Sequence, residues 1–313
     1  MRRATILAGL LVLAGCSDTG SEPTPTGEPV SSPAQSDDPA GPATGDTSEQ
    51  ETGETPDPEA GEADGPLTVL VVGVDQPTGS RRADVIMLVR VNGDRDHASV
   101  MSIHRDTWVD IPGHGQNKIN AAFAYGGHEL LSETVEDLYS ADIDHTAVVD
   151  FEGFSELSTV LGPITVETAD GPVVLEGDDA LAFVRERYSL PSGDFDRVRR
   201  QQAYVAAAAD AIRSAGTDQL IDLARLAGNY VTVDGKGGLA VHALVVDLVD
   251  ETDIEGVFFS APHGGTGWSA DGQSIVLVDE ASVESLADAY RDDTVDEWLA
   301  SGDPETLDSR PIR

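Results

Sequence analysis

Residues 67–74 form a continuous run of β-branched and aliphatic side chains, LTVLVVGV, that begins abruptly after a polar segment. This pattern is typical of a strand buried on both faces, because neither set of alternating side chains is polar. A strand of this kind needs a packing layer on each side of its sheet. The run therefore predicts a layered domain built around residues 67–74.

The rest of the chain alternates strand and helix patterns. Further strands are predicted at 84–91 and 97–103, joined by a turn at 92–94, and at 146–150, 164–167 and 254–260. Helices are predicted from Asn120 as a cap and at 129–138, 154–161, 176–187, 194–214, 220–227, 241–248 and 281–290. The alternation predicts one α/β domain at residues 66–298, an α-β-α sandwich with a central mixed sheet flanked by helices, followed by a C-terminal tail at 299–313.

The N-terminus has the pattern of a secretion signal. Arg2 and Arg3 precede a short apolar run at 4–14, which is too short to span a bilayer. Leu-Ala-Gly-Cys at 13–16 resembles a bacterial lipobox, so residues 1–15 are predicted to be a lipoprotein signal peptide and Cys16 the lipidated residue. The alternative is an ordinary secretory signal with a chance cysteine. Both predict an extracytoplasmic protein, and the lipobox places it on the outer face of the cell membrane.

The charge is unevenly distributed. The 313 residues have a formal net charge of −38. Residues 17–65 contain thirteen acids with no Lys, Arg or aromatic residue, so 16–65 is predicted to be a disordered acidic tether. Residues 66–313 retain 44 acids against 17 bases, which argues against nucleic-acid binding. The single Cys excludes an internal disulfide framework and a cysteine-based zinc site.

Basic residues are concentrated in one segment of this acidic domain. Residues 184–201 contain five of the seventeen bases, namely Arg185, Arg187, Arg197, Arg199 and Arg200. Asp194, Arg197 and Gln201 have helical spacing and share one face. The segment suggests a rigid helix that presents Arg and Gln to an anion. The alternatives are that these arginines form intramolecular salt bridges and that Asp194 only caps its helix.

Acidic and basic side chains also follow the predicted strands. Asp75 ends the first strand, Asp84 begins the second, and Arg105 and Asp106 follow the third. Open α/β sheets bind ligands at such strand ends, although Asp75 and Asp84 could be turn residues without a ligand. Because carboxylates suit Mg²⁺ and guanidinium groups suit phosphate, the set suggests a diphosphate–metal site.

An ordered series of motifs resembles the LytR-CpsA-Psr family and covers residues 67–298. The motifs are VGVD at 72–75, RADVIM at 82–87, SIHRD at 102–106, KINAAFAYGG at 118–127, VDFEGF at 149–154, and VRER at 184–187 with GDFDRVRRQQ at 193–202. Their order makes the resemblance specific, because each motif alone is weak.

The resemblance implies an Mg²⁺-dependent enzyme that transfers a polyprenyl-pyrophosphate-linked glycopolymer to peptidoglycan. It implies that Asp75 and Asp84 hold the metal and that Asp75, Arg105 and Arg197 are catalytic. It also implies a hydrophobic channel for the prenyl chain. The residues implied to bind pyrophosphate are Arg105, Lys118, Arg185, Arg187, Asp194, Arg197 and Gln201.

Two departures and two rival functions accompany this resemblance. His104 stands where the family usually has Pro, and Ala83 where a hydroxyl residue is common. We expect His104 to be structural or exposed, and Asp106 to pair with a neighbouring arginine. Either Asp75 or Asp106 could orient the attacking hydroxyl. The rival functions are a polyprenyl-pyrophosphate hydrolase and a non-catalytic envelope protein that binds lipid or polymer.

Overall fold

The computed structural model describes residues 65–75, 82–235, 255–302 and 304–313. The strands are β1 (Leu67–Val74), β2 (Ala83–Val91), β3 (His97–Ser102), β4 (Trp108–Ile111), β5 (Gly115–Lys118), β6 (His145–Asp150), β7 (Ile164–Thr168), β8 (Gly171–Leu175), β9 (Val231–Gly235), β10 (Glu255–Ser260), β11 (His263–Trp268) and β12 (Ser274–Val278). The helices are α1 (Asn120–Tyr139), α2 (Phe151–Leu161), α3 (Gly177–Arg185), α4 (Asp194–Arg213), α5 (Thr217–Tyr230), α6 (Glu280–Asp292) and α7 (Val295–Ser301), and a short 3-10 helix spans Leu307–Ser309.

The central sheet is mixed, as predicted. Within the described residues it has six strands in the order β10-β3-β2-β1-β6-β9. β1 is antiparallel to β2 and parallel to β6. β3 is antiparallel to β2 and parallel to β10, and β9 is antiparallel to β6. The carboxyl ends of β1, β3, β6 and β10 therefore meet the start of β2 at one edge of the sheet.

Helices cover both faces of the sheet. Leu70 and Val72 of β1 belong to an apolar cluster that includes residues of α1 and α6. Val69 and Val71, which point to the opposite face, belong to a cluster with residues of α2, α4 and α5. This packing confirms that β1 is buried on both faces and that the domain is an α-β-α sandwich.

Helix α1 differs from the prediction at its start. Asn120 is its first residue and not its cap, because Ile119 occupies the cap position without a side-chain hydrogen bond. The helix is interrupted at Gly126 and Gly127, and Gly127 has φ of +69°, which favours glycine. The break separates a short first segment from a longer second one. These two segments correspond to the predicted helix that begins near Asn120 and the predicted helix at 129–138.

Two hairpins outside the central sheet, β4–β5 and β11–β12, were missed from the sequence. In the third hairpin, β7–β8, strand β7 was predicted at 164–167 and β8 was missed. Strands such as GQNK in β5 and HGGTGW in β11 contain few β-branched residues and no sustained alternation of apolar and polar side chains, so their pattern does not predict a strand. The helix predicted at 241–248 lies outside the described residues.

Residues 299–313, expected to form a tail beyond the domain, instead contribute contacts to it. The Ala169 amide donates to the Ile312 carbonyl at 2.7 Å, and the Ser260 amide donates to the Glu305 carbonyl at 2.9 Å. Ile312 is buried in the same apolar cluster as Ile164 of β7. The last residues of the chain therefore close one side of the core beside β7 and β10.

Candidate active site

Four predicted site residues meet at the edge of the sheet where β1, β3, β6 and β10 end. Asp84 is the second residue of β2, Arg105 lies three residues beyond β3, and Asp194 and Arg197 lie on the first turn of α4. Arg105 Nη1 donates to Asp84 Oδ1. Its Nε lies 3.6 Å from Asp194 Oδ1, which is also 2.6 Å from Arg197 Nη2. The four side chains form a ladder of alternating charge, hereafter the arginine–carboxylate ladder.

The backbone holds Arg105 in place. Its carbonyl accepts the Asn120 amide at 3.2 Å, and the Ile119 amide donates to the Thr107 carbonyl at 2.8 Å. The loop after β3 is therefore tied to the start of α1. Because the loop is anchored on both sides of its charged residues, the ladder is attached to rigid elements.

The ladder is largely removed from water. Only 5% of the Arg197 side chain and 16% of the Arg105 side chain are exposed. Burial raises the pKa of Asp194 and lowers the pKa of Arg197. Burial also lowers the pKa of Arg105, but the Asp194 and Asp84 carboxylates outweigh it and leave that pKa above its usual value.

Several buried polar atoms of the ladder have no aligned hydrogen-bond partner among the described residues. They are Arg105 Nε, both carboxylate oxygens of Asp194, and Nε and Nη2 of Arg197. The short Arg197–Asp194 contact is thus an ion pair without hydrogen-bond alignment. Buried polar groups are normally satisfied, so guanidinium donors left in this state are suited to an anionic ligand.

Lys118 lies beside the ladder but is bound to a different acid. Its Nζ is 3.0 Å from Asp106 Oδ1. The expectation that Asp106 pairs with an arginine is wrong, because β5 brings Lys118 to it across the β4–β5 hairpin. Lys118 is therefore near the predicted anion site, with its charge already compensated.

Arg185 and Asp75 form a more exposed pair at the rim. Arg185 Nη2 lies 3.3 Å from Asp75 Oδ1, and 48% and 61% of the two side chains are exposed. The Arg185 guanidinium also lies over the Phe151 ring, 4.3 Å from its centroid. Sequence reasoning missed Phe151, although it stands within the VDFEGF motif. The rim pair leaves Arg185 accessible to a ligand.

The two predicted metal ligands end adjacent strands. Val74 pairs with Ala83, so Asp75, just after β1, and Asp84, the second residue of β2, lie near the same end of these antiparallel strands. Among the described residues, no group of three or more His, Cys, Asp or Glu side chains is arranged to hold a metal. Mg²⁺ needs only one or two protein carboxylates when substrate phosphate and water complete its shell, so the two aspartates fit that ion in kind and number.

Two predicted ligands make contacts elsewhere. Arg187 Nη2 donates to the Tyr188 hydroxyl at 2.8 Å, and its guanidinium lies over the exposed Tyr188 ring. Gln201 is buried and donates to the Val184 carbonyl at 3.2 Å, which ties α4 to α3. Arg187 therefore interacts with the exposed Tyr188 ring, and Gln201 makes a structural hydrogen bond between two helices.

The arginines of the arginine-rich segment make two different kinds of contact. Arg199 is 1% exposed and donates to the carbonyls of Thr306 and Leu307 at 3.0 and 2.8 Å. Arg200 donates to the Arg313 carbonyl. These two arginines hold the end of the chain and do not join the ladder. The alternative of an intramolecular salt bridge is correct for Arg199, whose Nη1 lies 3.6 Å from Glu305 Oε1.

His104 is structural, as expected, but fully buried. Its ring lies 4.5 Å from the Phe195 ring and 5.3 Å from the His263 ring. Burial, then His263 and Arg197, lower its pKa to about 3, so it is neutral at pH 7. His263, just beyond β10, belongs to no motif and was missed.

Asp194 does not cap α4, since Gly193 occupies the cap position and Asp194 pairs with arginines.

Cys16 and the rest of the predicted signal and tether lie outside the described residues. In the part of the chain that the structure describes, no helix combines the length and the apolar character needed to cross a bilayer.

The fold and site together define an α/β-sandwich protein with an arginine–carboxylate ladder at one sheet edge. The chain belongs to the LytR_cpsA_psr family, whose match covers residues 35–287. TagU of Enterococcus faecalis, named a polyisoprenyl-teichoic acid–peptidoglycan teichoic acid transferase, is 30% identical over 237 residues, which are 69% of this chain and 75% of that protein. The regulatory protein MsrR of Staphylococcus aureus is 38% identical over 154 residues, 44% of this chain. The match spans 47% of the length of MsrR.

Solved structures share the fold. B. subtilis TagV aligns with a TM-score of 0.61 at 24% identity, covering 74% of this chain and 98% of that one. TagT bound to LIIa-WTA aligns with a TM-score of 0.61 at 25% identity, covering 74% of this chain and 91% of that one. These similarities confirm the predicted fold class.

Proposed function

We propose that this protein transfers a glycopolymer from a polyprenyl diphosphate carrier to peptidoglycan, forming a phosphodiester. The polymer is of the teichoic acid, capsule or arabinogalactan type. Membership of the family supports the proposal, as do the name of TagU and the complex of TagT with LIIa-WTA. The lipobox at 13–16 supports attachment of the protein, through lipid on Cys16, to the outer face of the cell membrane.

The observation that carries the proposal is the ladder. Arg105 is partly buried and Arg197 is fully buried, and both have guanidinium nitrogens with no aligned acceptor among the described residues. A diphosphate supplies oxygens with the charge and geometry that these donors require. Asp84 and Asp194 hold the two guanidinium groups in position, so little reorganisation is needed when charge develops on the phosphate.

The proposed chemistry is one displacement at phosphorus. A sugar hydroxyl of peptidoglycan attacks the phosphorus that carries the glycopolymer, and the bond from this phosphorus to the bridging oxygen breaks. Polyprenyl phosphate leaves with that oxygen, and the hydroxyl proton passes to Asp75 or Asp106. Arg105 and Arg197 stabilise the charge on the non-bridging and leaving oxygens. Arg185, at the exposed rim, meets the incoming diphosphate first.

We include Mg²⁺ as the cofactor in this proposal. When bound, it offsets phosphate charge and orients the diphosphate. Asp75 and Asp84 would hold it, and each carboxylate is now paired with an arginine.

A transfer assay with the full chain tests the proposal. The protein is incubated with a labelled polyprenyl-diphosphate-linked polymer and with peptidoglycan stripped of its own polymers. We expect covalent label on peptidoglycan and release of polyprenyl phosphate, with about a 100-fold loss in Arg105→Ala. Arg225→Ala is the control, because Arg225 is exposed on α5 and pairs with Asp222 at 3.0 Å. Removal of Mg²⁺ with EDTA should abolish transfer, and Asp84→Asn should raise the Mg²⁺ concentration required.

Two outcomes contradict the proposal. Release of free sugar phosphate without attachment to peptidoglycan would identify a hydrolase. Tight binding of the lipid carrier with no turnover, equally in wild type and Arg105→Ala, would identify a binding protein.

A further inference from the structure

Two of the missed hairpins join the segment that follows Arg105. β4 begins at Trp108, two residues after Asp106. β12 attaches to the same segment, since the Val276 amide donates to the Asp106 carbonyl at 2.9 Å and Val276 bridges to Thr107. The hairpins β4–β5 and β11–β12 therefore extend side by side from the edge of the arginine–carboxylate ladder.

These hairpins carry two of the chain's three tryptophans. Trp268, the last residue of β11, is 76% exposed. Trp108 is partly exposed, and its Nε1 donates to Gln116 Oε1 at 3.3 Å. In the described chain the amide NH₂ of Gln116 has no other partner, so it can donate to a ligand. The Trp108 indole beside the oriented Gln116 amide combines a flat apolar surface with directed hydrogen bonding.

The strand register links this surface to the site. In β4–β5, Trp108 pairs with Lys118 and Asp110 pairs with Gln116, so Trp108, Gln116 and Lys118 share one face. The opposite face, with Val109 and Ile111, is buried in the core. Because Lys118 also contacts Asp106, the face with Trp108 and Gln116 extends to the residue that directly follows Arg105 of the ladder.

The local charge differs from that of the whole domain. Residues 107–128 contain one acid, Asp110, and one base, Lys118, whereas residues 66–313 have 44 acids and 17 bases. A neutral or anionic polymer thus meets little repulsion along this stretch. Trp108 and Gln116 on β4–β5, with Trp268 on the neighbouring hairpin β11–β12, are called the hairpin surface below.

We propose that the hairpin surface binds the acceptor, a hydroxyl-rich glycan strand of peptidoglycan, and delivers its hydroxyl to the phosphorus. This inference rests on the proposed transferase function. The apolar C–H face of a sugar ring stacks on an indole, and a Gln amide bonds to ring hydroxyl or N-acetyl groups. The acceptor is favoured over the donor's polymer because the surface reaches the site at Asp106, one of the two carboxylates proposed to take the hydroxyl proton, while the arginines take the diphosphate.

Binding of the full chain to two probes tests this assignment. The first probe is insoluble peptidoglycan stripped of attached polymer, and the second is geranylgeranyl diphosphate. We expect Trp268→Ala to weaken retention on peptidoglycan about tenfold, and Gln116→Ala severalfold, with unchanged diphosphate binding. Trp268→Phe should keep most of the retention, since its ring still stacks. Val174→Ala, which truncates a 63% exposed side chain on β8, is the matched surface control.

The outcomes separate this inference from the proposed function. Wild-type retention on peptidoglycan by Trp268→Ala and Gln116→Ala, with intact diphosphate binding, would overturn the hairpin surface as a glycan site. Loss of binding to geranylgeranyl diphosphate in Trp268→Ala, with peptidoglycan retention unchanged, would assign the surface to the donor and overturn the acceptor assignment. A third result separates the two proposals. If the wild type is retained on peptidoglycan and Trp268→Ala is not, but the wild type neither binds the diphosphate nor transfers polymer, the glycan site is supported and the transferase function is refuted.

Discussion

The buried His104 should make the domain acid-sensitive. It is 1% exposed, lies against Phe195 and His263, and has neither ring nitrogen paired among the described residues. Burial, aided by His263 and Arg197, lowers its pKa to about 3, whereas an unfolded chain titrates near pH 6.5. Between pH 6.5 and 3, His104 is protonated in the unfolded state and remains neutral in the folded state. The free energy of unfolding therefore loses nothing through His104 above pH 6.5, and it decreases progressively as the pH falls toward 3.

The size of the effect follows from the proton linkage. Each pH unit between the two pKa values changes the free energy of unfolding by about 1.4 kcal/mol, with a smaller change close to pH 6.5. Lowering the pH from 7 to 5 should thus remove about 2 kcal/mol through His104 alone. This is a large share of the stability of a typical domain, which is about 5–15 kcal/mol.

Urea unfolding of wild type and His104→Phe at pH 7, 6 and 5 measures the effect. Phe keeps the aromatic contacts with Phe195 and His263 but cannot titrate, so carboxylate effects common to both proteins cancel in the difference. We expect the wild type to lose about 2 kcal/mol more than His104→Phe between pH 7 and 5. His114→Phe is the control, because His114 is exposed and stacks on Tyr125. Equal losses in wild type and His104→Phe would refute the reasoning.

Two further predictions concern the arginines of α4. Arg197→Ala should lower the free energy of unfolding by about 3 kcal/mol, because it leaves the Asp194 carboxylate buried without its nearest cation. Adding Asp194→Asn to that variant should restore part of the loss in urea unfolding, and a further loss would contradict the assignment. Arg199→Ala should detach the end of the chain, because it removes donors to the carbonyls of the final segment, so amide hydrogen exchange in residues 304–313 should speed up about tenfold. Unchanged exchange there would show that Arg199 does not hold the segment.

The central elements were predictable because their patterns are local. Helix α4 was predicted at 194–214 and spans Asp194–Arg213, and the run at 67–74 is a strand with these bounds. Both depend on apolar periodicity that is present within the segment itself. Strands β5 and β11 were not predictable in this way, because GQNK and HGGTGW have no apolar periodicity, and the bridge from Val276 of β12 to Thr107 joins segments that are distant in the chain.

The sequence predicted which residues lie at the site better than it predicted which contacts each of them makes. The motif residues Asp84, Arg105, Asp194 and Arg197 do come together. Gln201 shares the predicted helix face with Arg197, yet it bonds to the Val184 carbonyl, because α3 packs against that part of α4. Helical spacing identifies a shared face but not the element that each turn of the face meets.

The sequence by itself determined the α/β class, the buried first strand and the candidate residues that belong near an anion, because periodicity, turn chemistry and motif order are properties of short segments. Only the tertiary structure decided which charges meet. Arg197 and Arg199 are two residues apart on α4, and at about 100° per residue their side chains point to different sides of the helix. Arg197 therefore enters the ladder while Arg199 binds the end of the chain, more than 100 residues further on. Packing between distant segments therefore placed one arginine of this segment in the arginine–carboxylate ladder and another against the carbonyls of residues 306 and 307.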